Sequence, residues 1–169
     1  MIEWKAQTLK SNKDTMVYKT SINLNEAHEY FSAEYFNRTW EFIEKADQLS
    51  TEENMTMLHM AMASLWHWTQ REDVTAENLS VGYWQVSRVY NLIKQPNNAR
   101  TYGLLSLKYA EGLESFFLAY AYETLARAEM QTNNRVVMRV YLDKAYRMAE
   151  QVESQEDRQL LLKDLESIK

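Results

Sequence analysis

The residues best suited to chemistry in this 169-residue chain are its three histidines, His28, His59 and His67. Two of the five tryptophans flank His67 in the stretch Ser64–Gln70, SLWHWTQ. His59 and His67 are eight residues apart, about 12 Å along a helix axis. Zinc ligands lie about 2.0–2.1 Å from the ion, and a helical pair that shares a metal is three or four residues apart. We therefore predict no metal site and no cofactor, and we interpret His67 as an isolated polar group.

Helical geometry also separates the two tryptophans of this stretch. At about 100° per residue, Trp66 lies beside His59 on the rim of a packing face, and Trp68 lies nearly opposite Trp66. The two rings therefore cannot enclose His67, and we expect them to join one helical hairpin to the next. The predicted packing face of this helix consists of Met55, Leu58, Met62, Leu65 and Thr69.

An arginine stands in the middle of another apolar helix face. Arg88 shares this face with Val81, Trp84, Gln85 and Leu92. A buried charge needs a partner, and Glu123 on a later helix is the acidic residue that we expect to supply it. Glu123 has Arg127 four residues on, a common helix pair. We predict a structural polar network, with a ligand carboxylate or phosphate held by Arg88 and Arg127 as the alternative.

The composition excludes several kinds of function. The absence of cysteine excludes disulfides, thiolate chemistry and cysteine-based zinc sites. No glycine-flanked serine is present, and three glycines cannot form a phosphate-binding loop. A net charge of −5 disfavours nucleic acid as a partner. The N-terminus is no secretory signal, and no apolar run approaches the about 20 residues that span a bilayer. We therefore expect a cytoplasmic protein that binds neither nucleic acid nor membrane.

A chain with three glycines and one proline favours long helices over tight turns. Ser50 to Glu53 has the form of a capping box, Thr75 can cap the next helix, and Pro96 suits a first helical turn. Gly112 is a candidate helix C-cap. We predict seven helices, at about 26–48, 51–70, 75–94, 96–112, 114–131, 135–153 and 155–168. Residues 1–24 are expected to be an extended arm that lies on the domain or is partly disordered.

Two segments share a pattern of small and large residues. In the first, Tyr83-x2-Val86-Ser87-x2-Tyr90 is followed by Ala99 and Ser106. In the second, Tyr122-x2-Leu125-Ala126 is followed by Met138-x3-Leu142 and Ala145. This resembles a degenerate pair of tetratricopeptide (TPR) repeats over residues 80–112 and 114–152, with 155–168 as a capping helix. The chain also resembles uncharacterised bacterial proteins of this helical-repeat type.

The resemblance has visible departures. Gly103 stands where an aromatic residue is usual, Glu129 replaces the second tyrosine, and Met138 replaces the alanine. The two units are offset by 39 residues instead of 34. The resemblance implies an all-α, right-handed stack of antiparallel helical hairpins over residues 25–169. A simple bundle of four or six helices is the alternative.

From this class we predict a non-enzymatic module that binds a protein, a peptide or a second copy of itself as a homodimer. We expect no catalytic residues. The candidate binding residues are His59, Trp66, His67, Trp84, Arg88, Glu123 and Arg127. The alternative is a small-ligand-binding domain, catalytic or not, in which His59, His67, the two arginines and Glu123 converge on one enclosed volume.

Overall fold

The computed structural model describes residues 23–169, and these contain seven α-helices and no strand. The predicted all-α class is confirmed, and all but the last two residues of the expected N-terminal arm lie outside the described part. The helices are α1 Leu24–Ile43, α2 Thr51–Thr69, α3 Ala76–Leu92, α4 Pro96–Ala110, α5 Ser115–Gln131, α6 Arg135–Ala149 and α7 Gln155–Glu166. A short 3₁₀ turn, Ala46–Gln48, lies between α1 and α2.

The predicted helix signals are present. The Ser50 amide donates to Glu53 Oε2 at 2.8 Å, and the Glu53 amide donates to Ser50 Oγ at 3.2 Å, which completes the capping box. Thr75 and Asn78 cap α3 in the same reciprocal way. Pro96 occupies the first turn of α4, and Gly112 follows that helix with a φ of +86°. These local contacts explain why the sequence alone located most helix ends.

Two helices end four or five residues earlier than predicted. α1 stops at Ile43, five residues before the expected Gln48, and the chain then turns so that Leu49 packs against the core formed with α2 and α3. α6 stops at Ala149, four residues before the expected Glu153. The chain there brings Val152 into the core of α6 and α7, where only 5% of the residue remains exposed. In both places tertiary packing outweighs a continuing helical pattern.

The helices form three antiparallel pairs, α1 with α2, α3 with α4, and α5 with α6. In the second pair, the hydroxyls of Ser80 and Ser106 each donate to the other residue's carbonyl, while Ser87 Oγ donates to the Ala99 carbonyl at 2.7 Å. Residue numbers thus rise on α3 as they fall on α4. The predicted pairing of helices three and four across Pro96 is confirmed.

The first helices of these pairs lie side by side. α3 and α5 run parallel, since Ser87 bonds to Thr124 and Asn91 to Gln131 further along. On the other side of α3, the side-chain Nε2 of Gln85 donates to the backbone carbonyl of Phe36 on α1 at 3.0 Å. α7 packs on α5 and α6. The structure therefore presents one layer formed by α1, α3 and α5.

Gly103 explains one departure from the repeat pattern. A Cβ built on Gly103 would lie 2.9 Å from Leu125 Cδ2 and 3.2 Å from Thr124 Cγ2. α4 therefore approaches α5 so closely that even an alanine here would require the Leu125 side chain to shift, and an aromatic ring would require a much larger rearrangement.

The predicted packing face of α2 is partly wrong. Leu58 and Leu65 are buried as expected, but Met55 is 42% exposed and Thr69 is also exposed. Met57, with no exposed surface, and Ala61, with 1%, take their place. The buried face of α2 differs from the predicted one because α2 packs on both α1 and α3. A helix with two partners buries a wider stripe of side chains than a helix with one.

None of the helices within residues 23–169 has both the length and the hydrophobicity that a bilayer crossing requires.

Candidate functional site

His67 contacts a second histidine. Its Nδ1 lies 2.9 Å from Nδ1 of His28 on α1. One of these nitrogens must carry a proton and the other must accept it, so the pair is compatible with at most one positive charge. Burial lowers the pKa of His67 below its ordinary value, and a positive charge on His28 lowers it further. The interpretation of His67 as an isolated polar group was wrong.

The two tryptophans lie on different sides of α2, as predicted. The Trp66 ring is 55% exposed and lies edge-on to the rings of His28 and His67, with centroids 5.3 Å and 4.8 Å away. Trp68 instead packs under the Arg71 guanidinium, which lies 4.1 Å from its ring. His59 is exposed, and no hydrogen bond or ring contact joins it to the other predicted residues within the described part of the chain.

The arginine of α3 has the partner that the sequence predicted. Arg88 Nη1 donates to Glu123 Oε1 at 2.9 Å, and Arg127 Nε donates to the same oxygen. Trp84 Nε1 donates to the other oxygen, Oε2, at 3.3 Å. Glu123 has no exposed surface, and the side chains of Arg88 and Arg127 are 17% and 13% exposed. One buried carboxylate therefore binds two guanidinium groups and an indole.

A fourth charged residue, Asp164 on α7, completes this ion cluster of Arg88, Glu123, Arg127 and Asp164. Asp164 Oδ1 lies 3.4 Å from Arg88 Nη2 and 3.5 Å from Arg127 Nη2. Arg127 Nη2 also donates to the Asp164 carbonyl at 2.9 Å. Two cations and two anions give the ion cluster no net charge. Within residues 23–169, the buried Nε of Arg88 is the one buried side-chain nitrogen or oxygen without a hydrogen-bond partner.

Tyr120 also forms a hydrogen bond with the ion cluster. Its hydroxyl donates to Asp164 Oδ2 at 3.4 Å. Burial, and then the negative charges of Asp164 and Glu123, raise the pKa of this phenol far above its ordinary value. Tyr120 therefore remains a neutral hydrogen-bond donor at any physiological pH.

An apolar cavity of about 320 Å³ lies on the layer of first helices, and we call it the aromatic cavity. Trp84 belongs to both regions, since its ring lines the cavity while its N–H bonds to Glu123. Its ring centroid lies 5.6 Å from that of Trp40 and 5.2 Å from that of Tyr120. The side chains that make most of the wall are Phe36, Trp40, Val81, Trp84, Phe116 and Tyr120.

Two further cavities adjoin the aromatic cavity at Phe117, which lines all three. The side cavity, about 300 Å³, lies between α1 and α3 and is bordered by Trp68 and Asn37. The acidic cavity, about 700 Å³, lies where α5 begins and α6 connects to α7. Its charged lining residues are Glu114, Glu153 and Asp157. Together the three cavities form a groove with an apolar middle and an acidic end.

Six of the seven candidate binding residues thus divide between two places, and exposed His59 belongs to neither. Trp84, Arg88, Glu123 and Arg127 meet in and beside the ion cluster, whereas Trp66 and His67 meet at His28, between α1 and α2. No contact among the described residues brings the histidines and the arginines together on one enclosed volume. The described residues also contain no group of three histidine, aspartate or glutamate side chains placed to hold a metal ion.

Sequence reasoning missed most of the groove. Of its aromatic wall, only Trp84 was among the candidate binding residues, because aromatic residues at helical spacing usually pack inside. The adjacent pair Phe116–Phe117 was a usable signal, since neighbouring side chains on a helix point about 100° apart and two large rings in sequence indicate more than one contact surface. Asp164 was missed because nothing in the spacing of α7 indicates contact with α3.

Comparison with protein-family models, with curated proteins and with solved structures finds no match to this chain.

Proposed function

We propose that this protein is a non-enzymatic module of TPR-like architecture that binds a peptide segment of a partner in the groove around Phe117. The antiparallel pairs, the parallel α3 and α5, and the close approach at Gly103 support a stack of hairpins. In such a stack the first helices form a shared binding surface, and that is where the groove lies.

The observation that carries the proposal is an open apolar cavity of about 320 Å³ on that layer. Its wall is almost wholly aromatic and aliphatic, and Trp84 and Trp40 contribute large rings to it. Apolar surface of this kind gains free energy when a partner covers it. Bulky apolar side chains, aromatic ones above all, are the usual anchors in such pockets.

The charges around the groove indicate the rest of the partner. Arg88 and Arg127 are engaged with Glu123 and Asp164, so they have no free charge to offer an acidic partner. The adjoining cavity instead presents Glu114, Glu153 and Asp157. We therefore propose a peptide with a bulky apolar anchor and lysine or arginine nearby. This partner has the opposite charge to the anionic ligand that the sequence left as an alternative for Arg88 and Arg127.

The alternative function, a small-ligand site built from the histidines, the arginines and Glu123, needs these groups to converge. The contacts of residues 23–169 divide them between two clusters, so no observation favours that alternative.

The test is a titration of the full-length chain with synthetic peptides, followed through its tryptophan indole N–H signals by NMR. A peptide with tryptophan between lysines should shift the signals of Trp40 and Trp84 and leave exposed Trp66 unchanged. Matched peptides with alanine for tryptophan, or glutamate for lysine, should bind much more weakly. Binding of the lysine peptide should weaken with added salt, because the acidic end is open to solvent.

A matched pair of variants locates the binding site. Phe117→Glu places a charge where the three cavities meet and should abolish the shifts. Leu104→Glu makes a similar change at a 47% exposed position on α4 and should bind the peptide normally. Equal binding by both variants, or equal binding of all three peptides, would exclude the groove as the site.

A further inference from the structure

The groove has a candidate occupant within the same chain. Residues 1–22 precede α1 and contain the apolar residues Ile2, Trp4, Leu9, Met16, Val17 and Tyr18. The segment also contains four lysines and two acidic residues, Glu3 and Asp14, so its net charge is +2. The other 147 residues therefore carry −7 of the chain's total of −5. This segment has the composition that the groove requires of a partner, with bulky apolar residues and lysines interspersed.

The segment also begins in the right place. It joins the described chain at Asn23, immediately before α1, and Phe36 on α1 lines both the side cavity and the aromatic cavity. The helix rises about 1.5 Å per residue, so Phe36 lies about 18 Å from Leu24 along the axis. An extended chain covers that distance in about six residues. The chain before Asn23 is therefore long enough to bring Met16 to Tyr18 level with the side cavity.

The order of residues then matches the order of the cavities. Beyond Met16, a chain that follows the groove passes the aromatic cavity near Phe117 and reaches the acidic end. Lys13, Lys10 and Lys5 are the basic residues that such a path brings towards Glu114, Glu153 and Asp157. Twenty-two residues can extend to about 70 Å, so length does not limit the path.

We infer that residues 1–22 bind the groove of their own chain and compete with an external peptide for it. This rests on the groove proposed above as the binding site. A short covalent connection gives the segment an effective concentration in the millimolar range, so the same chain is favoured over a second copy as its source. An external partner must therefore displace the segment before it can bind.

The experiment uses a spin label on the full-length chain. Because the sequence has no cysteine, Ser11→Cys gives a single attachment site for a nitroxide between Leu9 and Met16. We expect the nitroxide to broaden the indole signals of Trp40 and Trp84 and to leave the methyl signals of Val140, exposed on α6, sharp. Reduction of the nitroxide restores the signals and serves as the reference.

Three variants test whether the broadening depends on the lysines of the segment and on the groove. Lys10→Glu with Lys13→Glu reverses the charge of the segment without touching residues 23–169, and it should diminish the broadening. Phe117→Glu should diminish it as well, whereas Leu104→Glu should leave it unchanged. A mixture of spin-labelled unenriched protein with unlabelled ¹⁵N-enriched protein should show no broadening. Broadening in that mixture would mean that the segment comes from a second copy, which would overturn the inference.

Addition of the lysine–tryptophan peptide separates this inference from the proposed function. If the peptide removes the broadening as it binds, the result supports both the proposed function and the inference about residues 1–22. If the peptide shifts Trp40 and Trp84 but the label never broadens them, the groove binds peptides and the inference about residues 1–22 is wrong. If broadening is present and no peptide displaces it, the segment is a permanent part of the fold and the proposed partner is wrong. If neither effect occurs, both are overturned.

Discussion

The ion cluster and the aromatic cavity meet at one side chain, Trp84, and they differ in how completely their groups are engaged. In the ion cluster, Arg88 and Arg127 are both bonded to Glu123, and the charges cancel. The aromatic cavity, with a volume of about 320 Å³, is filled by no side chain of residues 23–169. The charged groups of the ion cluster are thus engaged within the fold, whereas the surface that we propose for binding consists mainly of aromatic and aliphatic side chains.

The largest effect is expected from removal of the buried carboxylate. Glu123→Leu leaves the largely buried side chains of Arg88 and Arg127 with only Asp164 to compensate them. Loss of one partner from a buried ion pair costs about 3–5 kcal/mol. Urea unfolding should show this loss. Glu41→Leu, at an exposed position on α1, should change the free energy of unfolding by less than about 0.5 kcal/mol.

If Glu123→Leu does not fold, Glu123→Gln keeps the size of the side chain and removes only its charge, and should show a smaller loss. A Glu123 variant as stable as Glu41→Leu would mean that the ion cluster does not hold α3, α5 and α7 together.

A smaller effect is expected at Trp84, which belongs to both regions. Trp84→Phe keeps a ring in the aromatic cavity and removes the N–H that donates to Glu123 at 3.3 Å. Loss of a hydrogen bond to a charged group should lower the free energy of unfolding by about 1.5–3 kcal/mol. Trp40→Phe is the matched control, because its ring lines the same cavity and no hydrogen bond from its N–H is found within residues 23–169. Equal losses in thermal unfolding would attribute the effect to ring volume instead.

His28 and His67 lie outside both the ion cluster and the aromatic cavity. This histidine pair should make the free energy of unfolding depend on pH. The folded state lowers the pKa of His67, first through burial and then through the charge of His28, so the unfolded chain binds the proton more readily. The contribution is therefore complete above the ordinary pKa of about 6.5 and is lost as the pH falls from there towards the lower pKa of the folded state.

Unfolding at pH 7.5 and 5.5 measures this difference. His67→Gln should reduce the pH dependence, whereas His59→Gln, on the exposed side of the same helix, should keep it. The same pH dependence in both variants would show that the 2.9 Å contact with His28 has no energetic consequence.

The smallest effect on stability is expected in the groove itself. Phe117 is only partly buried where the three cavities meet. Phe117→Glu should lower the free energy of unfolding by about 1 kcal/mol, although it should abolish peptide binding. A large loss of stability would show that Phe117 is a core residue, and the contrast between the two regions would then disappear.

Local signals predicted much of the secondary structure and one contact of the ion cluster. Ser50 with Glu53, Thr75, Pro96 and Gly112 each mark a helix end through contacts within a few residues. Arg88 on an apolar face required an acidic partner, and Glu123 was found to be that partner. These inferences succeeded because each depended on a short stretch of chain or on the cost of an unpaired buried charge.

Other features depended on how helices pack, and the sequence did not predict them. His28 meets His67 only because α1 and α2 are antiparallel in one particular register. Asp164 joins Arg88 because α7 folds back on α5 and α6. The two predicted helices that proved too long, α1 and α6, ended where Leu49 and Val152 turned into the core. Helical periodicity indicates which face is apolar but does not identify the partner that covers it.

The sequence by itself determined an all-α chain, the caps of its helices and the need for a partner to Arg88, because these follow from local hydrogen bonding and from the cost of burying charge. Only the tertiary structure decided that the ion cluster closes on itself and that the helices of residues 23–169 leave the aromatic cavity unfilled. The reason is geometric: α5 and α7 approach α3 closely enough to satisfy its arginine, while the rings of Phe36, Trp84 and Phe116 surround a volume that no described side chain fills.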